Sequence, residues 1–210
     1  MILCDIGNSF YHYYREGRIW KEPSNAAPKT LKPDEGEEIY YISVKEAATK
    51  RLLEIYPDAK DMEPMLNLDT EYRGLGIDRA VACKALVDGV IVDAGSAITV
   101  DIMQNGMHLG GYILPGLQRY RNIYAEISPR LDKAIHFDVS TSMLPQNTAD
   151  AISYGIITSI VCLLERTAKN KRIYFTGGDG PSLARFFSHS IVDNSLVFKG
   201  MLNILKERRC

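Results

Sequence analysis

Long apolar runs are missing from this 210-residue sequence, although 46% of its residues are hydrophobic. A helix that crosses a bilayer needs about 18 to 20 consecutive apolar residues, and no uninterrupted stretch approaches that length. The first apolar run already meets Asp5, so we also expect no signal-peptide core. These absences predict a cytoplasmic protein without a membrane partner.

Cysteine is scarce and scattered. Cys4, Cys83, Cys162 and Cys210 form neither a Cys-x-x-Cys pair nor the Cys/His spacing of a zinc site or a disulfide framework. Reduced thiols are therefore expected, and Cys4 and Cys162 are predicted to be core residues because each lies in an apolar run. No catalytic cysteine is expected.

An excess of charge of either sign is also missing. Lys and Arg number 25 against 26 for Asp and Glu, which gives a formal net charge of −1. A protein that binds nucleic acid or an anionic membrane through electrostatic attraction carries a basic surplus. The balance argues against nucleic acid as a partner and favours a small-molecule ligand.

Two common nucleotide-binding motifs are absent, the G-x-x-x-x-G-K-[ST] phosphate loop and the G-x-G-x-x-G fingerprint. Instead, three predicted strands end in short turns that combine Gly with Asp, Ser or Thr, at residues 5–9, 93–97 and 176–180. Glycine lets the main chain approach a phosphate, its neighbours donate N–H and hydroxyl groups, and an Asp can hold a neutralising cation. One such turn is a common β-turn, but the set of three indicates a triphosphate site.

A strand-turn-strand plan occurs twice, at a spacing of about 90 residues. Met1–Cys4 leads into the first turn, and Gly89–Val92 leads into the second. The recurrence predicts an α/β protein of two ribonuclease H-like (actin-like) domains, with mixed sheets flanked by helices and a nucleotide cleft between the domains. We expect an N-terminal domain at residues 1–88 with the first phosphate loop, and a C-terminal domain at residues 89–210 with the second.

The order and spacing of these motifs resemble type III pantothenate kinase over nearly the whole chain. The matching segments are residues 5–9, Gly76-Ile77-Asp78-Arg79, residues 93–101, residues 110–117 and Asn147-Thr148. The resemblance implies ATP-dependent phosphorylation of pantothenate to 4'-phosphopantothenate, the first step of coenzyme A biosynthesis. It also implies a homodimer.

The resemblance implies roles for single residues as well. The residues expected to bind ATP are Asp5, Ile6, Gly7, Asn8, Ser9, Phe10, Tyr11, His12 and Ser96. Those expected to contact pantothenate are Gly76, Ile77, Asp78, Arg79 and Thr148. Asp78 would be the catalytic base, Asp93 would hold a monovalent cation (potassium or ammonium), and Asp5 would serve magnesium.

Three positions depart from the family's pattern. Ser9 and Ser96 stand where Thr is usual, and both keep the hydroxyl group. His12 stands where many relatives carry Lys, so a permanent positive charge near the phosphates is lost unless Arg15, Arg18 or a bound cation compensates for it.

Two assignments have structural alternatives. Relatives often carry a Tyr shortly before the Gly-x-Asp-Arg motif, and Tyr72 is the substitute here as a substrate contact; packing is its alternative role. A charged Asp near a helix N-terminus is also common for structural reasons alone. That reading applies to Asp78, because the residues after it have helical spacing.

Two other functions stay open at this stage. The first is another phosphotransferase of the superfamily, such as a small sugar or carboxylate kinase, because a fold does not specify the acceptor. The second is a non-catalytic regulator that binds nucleotide as a switch. The motif at residues 76–79 argues against the first, and the joint presence of Asp5, Asp78 and Asp93 argues against the second.

Overall fold

A computed structural model describes residues 1–140 and 142–208 and divides the chain into two compact units. The first unit comprises Met1–Val87, Asn105–Leu109 and the C-terminal segment from Ser195. The second comprises Asp88–Gln104 and Gly110–Asn194. The predicted domain boundary at residues 88 and 89 lies beside the end of the first segment, and the structure adds two later segments to the first unit.

The sheet of the first unit has five strands. They are β1 (Ile2–Ile6), β2 (Phe10–Arg15), β3 (Arg18–Pro23), β4 (Ile39–Ser43) and β5 (Lys60–Asp61). Their spatial order is β3-β2-β1-β4-β5. The β1–β2 and β2–β3 pairs are antiparallel, whereas β1–β4 and β4–β5 are parallel.

The sheet of the second unit repeats this plan. Its strands are β6 (Gly89–Ala94), β7 (Ala97–Gln104), β8 (Met107–Pro115), β9 (Ile173–Thr176) and β10 (Ser190–Val192). Their order is β10-β9-β6-β7-β8, with β6–β7 antiparallel and β6–β9 and β9–β10 parallel. In each unit the first strand is central. It forms an antiparallel hairpin with the strand on one side, and it pairs in parallel with the strand on the other side, which a crossover connection reaches. The predicted duplicated ribonuclease H-like fold class is confirmed.

Both faces of the first sheet are covered. The unit contains the helices α1 (Glu46–Ile55) and α2 (Ile77–Cys83), a 3-10 turn at Glu63–Met65, and the last helix, α6 (Leu196–Glu207). Ile2, Cys4 and Ile6 pack in a cluster with α1, whereas Leu3 packs in a second cluster with α2 and α6. Because side chains alternate along a strand, Asp5 lies on the face that carries α2.

Gly200 sets the spacing between α6 and α2. A Cβ atom at Gly200 would lie 2.8 Å from the carbonyl carbon of Val81, so the two helices approach more closely there than any other residue type would allow. This contact fixes the position of α2, and the Gly-Ile-Asp-Arg motif lies at the start of that helix.

The second unit has one core cluster, formed by its sheet and its helices. The helices are α3 (Leu117–Ile127), α4 (Thr148–Ala168) and α5 (Gly180–Ala184), with a 3-10 turn at Pro129–Leu131. Among the described residues, α4 alone is long and apolar enough to cross a membrane by composition. Its residues Ile152, Ile156, Ile160 and Leu164 are buried in the core cluster, which is the position of an ordinary core helix.

The structure corrects some local predictions. Cys162 is exposed, not buried as predicted, because α4 turns that position away from the core; Cys4 and Cys83 are buried. Burial raises the pKa of the Cys4 thiol well above its usual value, so the thiol stays protonated. Cys210 lies outside the described residues. The sequence did not indicate β5 or β10, which are two and three residues long.

Candidate active site

The first phosphate turn joins β1 to β2. The amide N–H of Gly7 donates to the carbonyl oxygen of Phe10 at 2.9 Å and closes the hairpin. Side chains from two other segments reach the turn: the Ser24 hydroxyl lies 3.2 Å from the carbonyl oxygens of Gly7 and Asn8, and the Lys45 amine donates to the Asn8 oxygen at 2.6 Å. Sequence reasoning missed both Ser24 and Lys45.

A row of three ionisable residues crosses the first sheet beside this turn. Asp5 on β1 is opposite His12 on β2, and His12 is opposite Lys21 on β3. Residues that are directly opposite in antiparallel strands share a face. The Lys21 amine also lies 4.5 Å from the centre of the Phe10 ring. The row therefore brings a carboxylate, an imidazole and a permanent positive charge together near the predicted phosphate site.

His12 is neutral in this setting. Burial, and next the positive charge of Lys21, lower the pKa of His12 below its usual value of 6.5. Its Nδ1 atom lies 3.7 Å from Asp5 Oδ2, beyond hydrogen-bond distance, and is buried without a hydrogen-bond partner among the described residues. The contact between His12 and Asp5 is therefore not an ion pair at neutral pH.

The arginines considered as replacements for the missing Lys are engaged elsewhere. Arg15 forms ion pairs with Asp34 and Glu37, the latter at 3.1 Å. The Arg18 guanidinium lies 6.0 Å from the centre of the Trp20 ring. Lys21, which the sequence patterns did not single out, is a permanent cation beside His12.

The Gly-Ile-Asp-Arg motif forms the start of α2. Gly76 is the N-cap residue with extended backbone, and Ile77, Asp78 and Arg79 form the first turn. Asp78 Oδ1 accepts a hydrogen bond from the Arg79 N–H at 2.8 Å. The positive end of the helix backbone favours negative charge at this position, and the carboxylate is fixed at the helix start by this hydrogen bond.

Arg79 and Tyr72 lie against each other. The Arg79 side chain is buried, and its guanidinium carbon lies 5.1 Å from the centre of the Tyr72 ring. Tyr72 in turn contacts the ring of His108, with 5.9 Å between centroids, and Thr70 Oγ1 lies 2.8 Å from His108 Nδ1. Two predicted substrate contacts are thus adjacent, and His108 supports them through packing.

The second phosphate turn joins β6 to β7 in the second unit. The Gly95 N–H donates to the Ala97 carbonyl at 2.9 Å, and Ser96 is exposed at the tip. Asp93 is opposite Thr99 on β7 and pairs with Thr176 on β9. The Ser96 hydroxyl is therefore free of the core and accessible to a ligand.

The third Gly-rich turn, at residues 176–180, packs directly on the second. Gly177 has φ +82°, and a Cβ atom there would lie 2.5 Å from the Ala94 carbonyl oxygen and would also overlap Asp93 Oδ1. The Asp179 N–H donates to the same Ala94 oxygen at 2.9 Å. Burial raises the pKa of the Asp179 carboxyl. The two turns form one oxygen-rich corner around Asp93.

Thr148 is the first residue of α4 and is exposed. The preceding residue, Asn147, caps the helix because its side chain accepts from the Asp150 N–H at 2.9 Å. Thr148 and Asn147 line an open cavity of about 580 Å³, together with Tyr124 and Leu131. The Thr148 hydroxyl can therefore reach a ligand without moving the helix.

Comparison with known proteins decides the family. A family model described as type III pantothenate kinase matches residues 31–170. The type III pantothenate kinase of Wolinella succinogenes is 55% identical over 210 residues, which cover 100% of this chain and 98% of the relative. That of Helicobacter hepaticus is 51% identical over 99% of this chain and 100% of its own. The chain belongs to the type III pantothenate kinase family.

A solved structure from Campylobacter jejuni is similar to this kinase along its whole length. It has 42% identity and a TM-score of 0.86, and the match covers 100% of this chain and 99% of the other. That protein is described as a conserved candidate Baf family transcriptional activator. Curated Campylobacter jejuni relatives, at 45% identity over 99% of this chain, carry the name type III pantothenate kinase.

Within each unit, the fold of this kinase brings several predicted site residues together. In the first unit Asp5 and His12 lie in one row, and Tyr72 and Arg79 lie against each other. Asp78 lies in the first turn of α2, on the same sheet face as Asp5. The hairpin register could have identified Lys21 from the sequence. The same hairpin register places Ser24 beside the turn. Lys45 could not be found in this way, because its position depends on the parallel β1–β4 pair, which local patterns do not fix.

Proposed function

We propose that this protein transfers the γ-phosphoryl group of ATP to pantothenate, giving 4'-phosphopantothenate in the first step of coenzyme A biosynthesis. The observation that carries the proposal is the full-length match to type III pantothenate kinases at 55% identity. The first turn of α2, where Asp78 and Arg79 are adjacent, supports it. ATP is the co-substrate, and a small molecule is the acceptor.

The nucleotide phosphates bind at the two hairpin turns in this proposal. Residues 5–12 form the first contact and Ser96 the second. Exposed amide and hydroxyl donors at strand ends are suited to phosphate oxygens, and the exposure of Ser96 supports its role. The two domain assignments, residues 1–88 with the first loop and residues 89–210 with the second, are part of the same proposal, except that Asn105–Leu109 and the segment from Ser195 join the first domain.

Asp78 acts as the general base. Its carboxylate takes the proton of the primary hydroxyl of pantothenate while the hydroxyl oxygen bonds to the γ-phosphorus and the bond from phosphorus to the bridging oxygen breaks, which releases ADP. Alignment of these atoms and neutralisation of phosphate charge supply most of the acceleration in phosphoryl transfer. A positioned base contributes about 10²- to 10⁴-fold.

Five other residues hold pantothenate in this proposal. The Arg79 guanidinium has the planar donor geometry that pairs with a carboxylate, and its stacking on Tyr72 limits its orientation. Thr148 offers an exposed hydroxyl at the start of α4. Gly76 and Ile77 place the motif's backbone at the helix start.

Two cations complete the proposed site. Asp93 would hold a monovalent cation, potassium or ammonium, and Asp5 would hold magnesium. Carboxylate and carbonyl oxygens are the ligands that hard cations prefer, and the assignment is supported by the position of Asp93 Oδ1 and the Ala94 carbonyl oxygen, which both lie against Gly177. When bound, the cations neutralise phosphate charge.

We also infer a cytoplasmic homodimer. Ile113 on β8 and Ile123 and Ile127 on α3 are exposed apolar side chains of the second unit. Ile123 and Ile127 are four residues apart and therefore share one face of α3. Exposed apolar side chains of this kind are typical of an interface between copies.

One observation favours a second candidate function. The Campylobacter jejuni structure at TM-score 0.86 is described as a candidate transcriptional activator, which is a regulatory role and supports the alternative of a non-catalytic regulator that binds nucleotide. The test is to incubate the purified protein with ATP, magnesium and either pantothenate or a panel of sugars and carboxylates, with potassium or sodium. We expect phosphopantothenate, detected by mass, only with pantothenate and faster with potassium. Binding of ATP without transfer to any acceptor would favour the regulator, and transfer to a sugar would favour the sugar kinase.

A further inference from the structure

Two residues outside the family motif, Ser24 and Lys45, form hydrogen bonds with the backbone carbonyl groups of the first phosphate turn. The Ser24 hydroxyl can share its hydrogen between the carbonyl oxygens of Gly7 and Asn8, each at 3.2 Å. The Lys45 amine donates to the Asn8 oxygen at 2.6 Å and to Ser24 Oγ at 3.1 Å. The backbone N–H of Ser24 donates to the Ser9 carbonyl oxygen at 3.0 Å. Three consecutive carbonyl groups therefore point toward the same pair of residues.

The fold explains why these residues meet. Ile6 pairs with Ser43 in the parallel β1–β4 pair, so Asn8 and Lys45 each lie two residues beyond the same register position. Ser24 follows Pro23, which pairs with Phe10 across the β2–β3 hairpin. Strands that finish or begin at the same end of the sheet thus bring the turn, the Ser24 hydroxyl and the Lys45 amine together.

The hydrogen bonds to these carbonyl groups determine the direction in which the amide N–H donors of the turn point. A trans peptide is planar, with its C=O and N–H groups directed to opposite sides, and the described residues contain no cis peptide bond. Because the Gly7 and Asn8 carbonyls point to Ser24 and Lys45, the N–H groups of Asn8 and Ser9 point the other way. Successive N–H groups on one side of a turn form an anion-binding nest.

Ser24 is itself rigidly held. It is fully buried, and its carbonyl oxygen accepts from the Arg51 guanidinium at 2.5 Å. Both Arg51 and Lys45 come from the α1 segment, so the helix and the loop after β3 support the turn jointly. Lys45 also brings a permanent positive charge close to a loop in which position 12 is a neutral His.

We propose that Ser24 and Lys45 are positioning residues for ATP: they aim the Asn8 and Ser9 amides at the nucleotide phosphates, and Lys45 adds positive charge behind the turn. The proposal rests on the function proposed above, since it assigns the loop to ATP. Neither residue touches the transferred phosphoryl group in this scheme. Their loss should therefore weaken phosphate binding more than it changes the chemical step.

The test compares Lys45→Met and Ser24→Ala with the wild type. We expect the KM for ATP to rise about tenfold in each variant, since a charge-assisted hydrogen bond is lost, while the KM for pantothenate stays within about twofold. Inhibition by inorganic tripolyphosphate should weaken in parallel. Lys45→Arg, which keeps a charged donor, should restore most of the affinity. Lys50→Met is the matched control, because Lys50 is also a lysine of the α1 segment and its exposed amine pairs with Glu46.

A merely structural role gives a different result. It would lower the midpoint of thermal unfolding and the active fraction, without changing the KM for ATP or the inhibition by tripolyphosphate; that outcome in folded Lys45→Met and Ser24→Ala would overturn the inference. Wild-type protein that fails to phosphorylate pantothenate would instead refute the proposed function. In that case calorimetric binding of ATP to wild type and Lys45→Met decides the inference: equal affinity, or no binding to either, rejects it.

Discussion

His12 and Lys21 are directly opposite each other on β2 and β3. The imidazole is neutral there, partly because the lysine charge lowers its pKa. A permanent cation is thus present one strand away from position 12. A neutral side chain at position 12 therefore still has a permanent positive charge beside it, on β3.

The first prediction concerns this pair. Lys21→Met should raise the pKa of His12 toward 6.5, because it removes a repulsive charge while burial still opposes protonation. It should also raise the KM for ATP several-fold. Histidine NMR titration and steady-state kinetics measure the two effects. Lys32→Met, in the same unit, is the control; an unchanged His12 titration in Lys21→Met would contradict the electrostatic account.

The second prediction is a pH dependence of stability. Since the folded pKa of His12 lies below 6.5, the unfolded chain takes up this proton first as the pH falls. The contribution of neutral His12 to the free energy of unfolding is fully present above about pH 6.5 and is lost as the pH falls through the folded pKa. Urea unfolding of wild type and His12→Gln at several pH values measures it. If the free energy of unfolding falls equally with acid in the two proteins, groups other than His12 cause the loss of stability.

The third prediction tests the proposed base. Asp78→Asn should lower kcat by about 10²- to 10⁴-fold, with the thermal midpoint and the KM for ATP close to wild type. The amide keeps an oxygen that can accept from the Arg79 N–H, so the helix start should survive. Asp58→Asn, an exposed change in the same unit, is the matched control. Near-normal turnover in Asp78→Asn would exclude Asp78 as the base.

The fourth prediction uses two adjacent glycines. Gly177→Ala should destabilise the protein by about 1 to 3 kcal/mol, because it combines a positive φ with a clash against Ala94 and Asp93. Gly178→Ala should stay within about 0.5 kcal/mol of wild type, since no atom lies within 4 Å of its added Cβ. Chemical denaturation measures both. Activation by potassium should also fall in Gly177→Ala, and equal stability of the two variants would contradict the packing described here.

The fifth prediction concerns the contact between α6 and α2. Gly200→Ala should cost about 1 to 3 kcal/mol of stability and should lower kcat, because the added methyl group pushes on the helix that carries Asp78. Gly155→Ala is the control: it adds the same group to α4, where no described atom outside the neighbouring helix backbone lies within 4 Å of the new Cβ. A Gly200→Ala enzyme with wild-type turnover and stability would show that α2 can shift freely.

Much of the fold follows from local signals. The hairpins around residues 5–9 and 93–97 were predictable because alternating strands and glycine turns are encoded within a few residues. The β5 strand was not, since two residues carry no periodicity. Cys162 was misassigned because an apolar run does not reveal which side of a helix faces the core. Lys45 was missed because its contact with Asn8 depends on the parallel β1–β4 register, which is fixed only by tertiary packing.

The two shortest strands have a consequence for solution behaviour. Both β5 and β10 lie at sheet edges, where unpaired backbone groups can recruit a strand from another molecule and start aggregation. The β5 strand offers only Lys60 and Asp61, two charged residues, and β10 offers three residues. These two edges therefore give a foreign strand little to join, and any edge-to-edge pairing would be directed to the opposite edges of the sheets, at β3 and β8.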